Sequence, residues 1–228
     1  MSRRLIAAAA VFLAACSQLG GPGGPVALEI ALPAHVELEV GDTTQLRARA
    51  LDQQGDSVAA TFIWRAGDTT VAVDSLTGRA TAVTPSTIGR IQVRTGTLVS
   101  DFLTFTTFPR SDTIAIDSTA DTTTVVSGDS VSAPLVASLQ SYVPAGGVAN
   151  RRLTFQMVAP TDSSVVLTGD AKTLTVSTAV DGTPVTAVRV HLIGTPRPDS
   201  AVVSVSAARP SGTAVPGSGQ RFVVYFQP

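Results

Sequence analysis

The sequence predicts an all-β protein, and three observations carry that expectation. Charged residues make up only 14% of the 228 positions, while Val, Thr, Ala, Ser, Gly and Pro dominate, a composition that suits short strands and tight turns and disfavours long helices. From Val26 onward, apolar and polar residues alternate in short runs. Gly, Pro and Asp break those runs at intervals of about 8 to 12 residues, the spacing expected of a β-sandwich.

The chain before Val26 reads differently. Arg3 and Arg4 precede an unbroken apolar run from Leu5 to Ala15, the charged and apolar regions of an export signal. That run is too short to cross a bilayer, which needs about 20 apolar residues. It ends in Leu13, Ala14, Ala15 and Cys16, the one cysteine of the chain. This stretch resembles the bacterial lipoprotein signal, whose motif is Leu, two small residues and Cys. The resemblance implies cleavage before Cys16, so that residues 1–15 are removed, and attachment of a diacylglycerol to its sulfur through a thioether. A thiolate is the protein nucleophile suited to that bond near neutral pH. Each buried methylene contributes about 0.8 kcal/mol, so two or three acyl chains hold a soluble domain where one would let it leave. The alternative is an ordinary secretory peptide with an incidental cysteine. Ser17 follows the cysteine, and by the same resemblance the lack of Asp there implies sorting to the outer membrane. The residues after Arg3 and Arg4 do not complete a twin-arginine signal. Residues 16–25, from Cys16 to Pro25, have neither period nor bulk, and their Gly and Pro content reads as a flexible tether.

Two patterned units follow. Over 26–108, "HVELEV" sets Val36, Leu38 and Val40 on one face, and "TQLRARAL" does the same for Leu46, Ala48 and Ala50, the period of half-buried strands. Gly41 with Asp42, and Asp52 to Asp56, are the turns between them. Phe62 and Trp64 share a side of the next strand, and further runs bring the total to roughly seven or eight. This segment resembles a bacterial immunoglobulin-like domain of group 2 in "VELEVGDTTQLRARALDQQGD", in Trp64, in "VAVDSLTGRATAV" and in the alternation from Ile88 to Thr95. It departs from the pattern at "TPSTIGR", where Pro85 comes first and Gly89 later. "FPRSD", Phe108 to Asp112, is the expected joint, since Pro109 cannot donate a ladder hydrogen bond.

The second unit, 109–228, repeats the opening layout: "TTVVSGDSVSAPLVASLQ" sets Gly128 and Asp129 where Gly41 and Asp42 stand in "LEVGDTTQLRARALDQ". Its later runs are similar to the invasin and intimin type of bacterial immunoglobulin-like domain, with an Asp181-Gly182 turn before another strand. The expected architecture is therefore two tandem immunoglobulin-like β-sandwiches after a signal peptide and tether.

The residues also bear on chemistry. Removal of Arg3 and Arg4 makes the formal charge, -1 for the whole chain, more negative, and no basic block remains to serve a nucleic-acid binder. With a single cysteine, neither an intrachain disulfide nor a thiolate metal cluster can form. "SGDSV" resembles the nucleophile block of GDS-type esterases, but Ser130 would need a base from a downstream Asp-x-x-His pair. His35 and His191 are the only histidines and neither has that context, so a turn ahead of a strand is the preferred reading. Trp64 in the third strand is read as the core plug between sheets rather than a sugar platform, and Tyr142 and Tyr225 are read the same way. Asp117, Asp121 and Asp129 fit no loop that wraps calcium and are read as solvated turn carboxylates. "GGPGG" precedes no helix and makes no phosphate loop. No metal, cofactor or enzymatic activity is expected. The expected function is that of a lipid-anchored envelope protein acting in adhesion, recognition or spacing, with the membrane as partner through Cys16 and a protein or carbohydrate as ligand. Loops at Tyr142 to Arg152 and Ile193 to Ser200 are the places to look for that ligand. A periplasm-facing structural subunit is the main alternative, and an esterase a distant one.

Overall fold

A computed structural model describes residues 23–117, 122–125 and 128–227. The signal motif Leu13 to Cys16, most of the 16–25 tether, Asp121 and Ser127 lie outside the described residues. Among those described, every regular element is a strand. No helix there is long and apolar enough to cross a membrane.

Two compact units are present. The first comprises the described residues up to Val36 together with Thr43–Val83 and Ile88–Phe105, and the second comprises Glu37–Asp42, Thr84–Thr87 and the chain from Thr106 onward. The strands, in chain order, are β1 (Ala27–Ala31), β2 (Glu37–Glu39), β3 (Thr43–Gln45), β4 (Arg47–Leu51), β5 (Ser57–Val58), β6 (Ile63–Ala66), β7 (Val71–Val73), β8 (Arg79–Ala82), β9 (Thr87–Thr95), β10 (Leu98–Val99) and β11 (Leu103–Phe108). They continue with β12 (Thr113–Ile116), β13 (Thr122–Val125), β14 (Ala137–Tyr142), β15 (Ala145–Gly147), β16 (Arg152–Ala159), β17 (Val165–Leu167), β18 (Thr173–Ser177), β19 (Val190–Leu192), β20 (Ser200–Ser206) and β21 (Gln220–Phe226).

In the first unit, β1-β4-β5 and β3-β8-β7 are two ladders, and β9 pairs with β6 and β10 in another. The inward residues of these ladders are buried: Val71, Ala80 and Ala82 from β7 and β8, and Trp64, Ile91 and Val93 from β6 and β9, are all 4% exposed or less. Alternation explains this, because period-2 side chains leave each strand one face for the opposite layer. Leu46 and Ala50 are buried in the same rhythm.

The hairpin joining β7 to β8 is shaped around the indole of Trp64. Asp74 Oδ1 accepts the backbone N–H groups of Leu76 at 3.0 Å and Thr77 at 2.7 Å, and Gly78 N donates to Asp74 O at 3.0 Å. The chain then passes through Gly78 at φ +72°, where an added Cβ would stand 2.6 Å from Trp64 Nε1. Glycine is required there twice over, by the left-handed backbone and by the ring beside it.

The second unit is a larger sandwich. One sheet runs β13-β21-β20-β16-β18, and the ladders β12-β14-β15 and β17-β19 supply the rest of its strands. β13 runs parallel to β21 and β2 runs parallel to Thr106–Phe108, while the β12-β14-β15, β18-β16-β20-β21 and β17-β19 pairings are antiparallel. One apolar cluster draws on all these sheets, including Ile114, Leu139, Phe155, Leu167, Val190 and Val203. Within it the Phe155 and Phe222 rings stack with centroids 6.2 Å apart. Among the described residues both units are built from strands alone, and the fold is all-β.

The structure overturns three expectations. Val36 does not share the buried face of Leu38: it is 42% exposed, because β2 begins only at Glu37 and Val36 lies outside the ladder. Tyr142 and Tyr225 are not core residues, being 67% and 49% exposed. Val224 and Phe226 take the inward positions of β21, which turns Tyr225 outward, and Tyr142 ends β14 one residue after the buried Ser141.

Replacement of Gly78 by Ala is expected to cost about 2 to 4 kcal/mol, since it adds a left-handed penalty to a clash with the core indole. Gly96, at φ +53° with open space around it, is the control, and Gly96→Ala should cost only about 1 kcal/mol. Equilibrium urea denaturation of the two variants reads the difference.

Candidate functional site

The second unit buries a carboxylate. Glu39 has no exposed surface, although it stands between Leu38 and Val40, where alternation assigns a residue to solvent. A buried charge persists only when paired and hydrogen-bonded, and three residues meet that demand. Ser111 donates its backbone N–H to Oε2 at 3.1 Å and its hydroxyl to Oε1 at 2.7 Å. Arg209 Nε lies 3.4 Å from Oε2, and Arg151 Nη2 lies 3.7 Å from Oε1. Arg209 also donates from Nε and Nη2 to Ser111 O, at 3.2 and 2.9 Å. Ser111 is therefore gripped from both sides.

Local structure holds each member in place. β2 is positioned by its parallel ladder and by Val40 N, which donates to Phe108 O at 3.0 Å. The turn after it passes through Gly41 at φ +87°, and Asp42 caps it by accepting Glu39 N–H at 3.1 Å. Arg151 precedes β16; its N–H donates to Thr178 Oγ1 at 3.0 Å, and its guanidinium lies 5.0 Å from the centroid of the Phe108 ring. Arg209 is set by a tight turn in which Gly212 N donates to Arg209 O at 2.8 Å.

Beside this cluster lies a polar cleft of about 520 Å³. Glu37, Asn150, Arg151, Arg152, Ser177 and Arg209 line it, with Ala208 and Pro210 as its apolar part. Arg151 Nη1 donates to Glu37 Oε2 at 3.4 Å. Part of the Tyr142 to Arg152 loop is thus in the cleft wall, while Ile193 to Ser200 contributes nothing to it.

A second cleft, of about 630 Å³, lies in the first unit along Gln45, Asp74, Thr77, Arg79 and Thr81. The backbone N–H of Thr77, then its hydroxyl and the Leu76 N–H, hold the Asp74 carboxyl below its ordinary 3.8. Asp162 and Asp181 are lowered in the same way, by the Ser164 hydroxyl and by the Thr183 backbone N–H respectively. All three are turn caps.

The residues singled out in the sequence fall as follows. Trp64 is buried, and its indole lies against Gly78. Ser130 is exposed in its turn, and its carbonyl accepts Leu192 N–H at 2.7 Å. Val131 pairs with His191, so His191 projects to the face opposite Ser130, and no serine-base pair forms there. His191 Nε2 is buried without a hydrogen-bond partner among the described residues. His35 is exposed in the first unit. Asp117 and Asp129 join no metal-holding group: among the described residues no three His, Cys, Asp or Glu side chains stand close enough to hold a metal. Glu39, Arg151, Ser111 and Arg209 are not legible as a site along the chain, because Glu39 and Ser111 are 72 residues apart and Ser111 and Arg209 are 98 apart. The one local signal is a carboxylate between Leu38 and Val40.

No protein-family model matches this chain, and no curated protein matches its sequence. Among solved structures, the adhesin InvE of Yersinia pseudotuberculosis aligns with 91% of this chain at 19% identity and a TM-score of 0.43, and this chain spans 61% of the InvE chain. Domains 4 and 5 of the S-layer protein SbsC align with 90% of this chain and 99% of their own at 15% identity and a TM-score of 0.34. The D00-D0 domain of intimin aligns with 86% of this chain and 98% of its own at 14% identity and a TM-score of 0.31. Likenesses at this level carry no statement about function.

Glu39→Ala leaves two guanidinium groups, 10% and 13% exposed, without their shared carboxylate, and should destabilise the protein by about 3 to 5 kcal/mol in urea denaturation. For Asp74, a depressed folded-state value means that its stabilisation is present above pH 3.8 and lost as pH falls through the lowered value. The Tm deficit of Asp74→Ala should therefore hold from neutral pH down to 3.8 and close below it in a series of thermal melts.

Proposed function

We propose that the protein is a non-enzymatic, lipid-anchored protein of the bacterial cell envelope. Its sandwiches serve adhesion, recognition or spacing at the outer membrane. The first unit is read as a group 2-like bacterial immunoglobulin-like domain and the second as one of invasin and intimin type. The observation that carries the proposal is Leu13-Ala14-Ala15-Cys16 placed directly after a charged start and a short apolar run. Acyl chains on the Cys16 sulfur anchor the chain, and the Gly- and Pro-rich stretch to Pro25 spaces the sandwiches from the bilayer. Sandwich domains present loops and strand edges to a partner, and recognition lives in those loops.

The test is fractionation of cells making the wild type and Cys16→Ala. The wild type should sediment with membranes and carry acyl mass on Cys16 in mass spectrometry, and the variant should lose both. An unlipidated mature protein, or a variant that still sediments, overturns the anchor. Protease treatment of intact cells then reads the side: clipping supports outward-facing adhesion or recognition, and protection replaces it with a periplasm-facing structural role.

A further inference from the structure

The cleft beside Glu39 holds more positive charge and more hydrogen-bond donors than its own residues consume. Three guanidinium groups, those of Arg151, Arg152 and Arg209, meet two carboxylates, those of Glu37 and Glu39. One positive charge is left over. Arg151 and Arg209 are engaged by Glu37, Glu39 and Ser111 O, which fixes both side chains. The Arg152 side chain makes no hydrogen bond or ion pair with any described residue, and all five of its N–H donors are free. It stands opposite Ser177 across the β16-β18 ladder, so an unused guanidinium and an unused hydroxyl flank each other on the cleft wall. Asn150, held at φ +55°, adds an uncommitted amide.

We propose that this cleft binds a carboxylated sugar, with Arg152 taking the carboxylate and Asn150 and Ser177 taking ring hydroxyls. A planar fork of donors matches a carboxylate in two-pronged geometry. The volume of about 520 Å³ suits a single sugar ring. The predominantly polar lining disfavours an apolar guest. Arg151 and Arg209 are immobilised before any ligand arrives, so little side-chain freedom is lost on binding. Glu37 works against the ligand as the one partly exposed carboxylate on the wall, 56% exposed at its side chain. This assignment names a ligand for the recognition role proposed above and rests on that reading for its setting, but the cleft itself does not depend on the anchor.

Isothermal titration calorimetry of the full chain in detergent micelles, with glucuronate, glucose and sodium sulfate as separate titrants, tests it. Glucuronate should bind, and glucose should give no measurable heat. Arg152→Gln should weaken glucuronate about tenfold, the loss of one charge-assisted contact, with an unchanged Tm because the side chain is exposed. Glu37→Gln should strengthen it. Absence of glucuronate binding, or binding indifferent to Arg152→Gln, overturns the cleft assignment. Sulfate binding as tightly as glucuronate overturns the sugar and reduces the cleft to a general anion site. Because these titrations read only the cleft, their failure would leave the fractionation result on Cys16 standing, and the reverse holds as well.

Discussion

Burial of Glu39 strips its carboxylate of water, and the second unit tolerates this only because Ser111 and two arginines converge on it from separate parts of the chain. The requirement propagates outward. Ser111 must present both its N–H and its hydroxyl to Glu39 while its carbonyl meets Arg209. Arg151 must lie over Phe108, and the turn that carries Arg209 must close through Gly212. Few of these residues could change alone, because each satisfies another that is also buried.

The same constraint shapes the neighbouring cleft. Apolar packing around Phe155 and Phe222 keeps β16 and its sheet in place, and Arg152 follows from strand alternation, pointing outward because Leu153 points in. Arg151, one residue earlier, turns toward Glu39. Two adjacent arginines thus have opposite fates, one neutralised within the fold and one left with its charge unpaired. That division makes a structural ion cluster and a candidate ligand site out of one short stretch of chain.

The first unit works differently. Its defining contact is between an aromatic ring and a glycine, and the turn there is capped by an exposed carboxylate, Asp74. Exposed caps of this kind order a hairpin without burying a charge. Both repeats of the Gly-Asp corner pass through a left-handed glycine, Gly41 and Gly128, although only the first follows a buried glutamate.

Much of this architecture is legible along the chain because it depends on near neighbours. Strand alternation, turn residues such as those of the Asp74 to Gly78 hairpin, and the Leu13 to Cys16 motif are local patterns, and a period of two is enough to find most strands of both sandwiches. Tyr225 is misleading because an aromatic in an apolar run looks inward until the register of β21 is known. Glu39 and its arginines are hidden for a deeper reason: a charge in a strand reads as solvent-facing, and whether it is buried depends on groups brought to it from 72 or more residues away. Composition and pattern determined that the chain is all-β, where its turns fall and that its start resembles a lipid-anchor signal. Only the tertiary structure decided which charges are neutralised and which remain available, since pairing is a property of distances in space and leaves no period in the sequence.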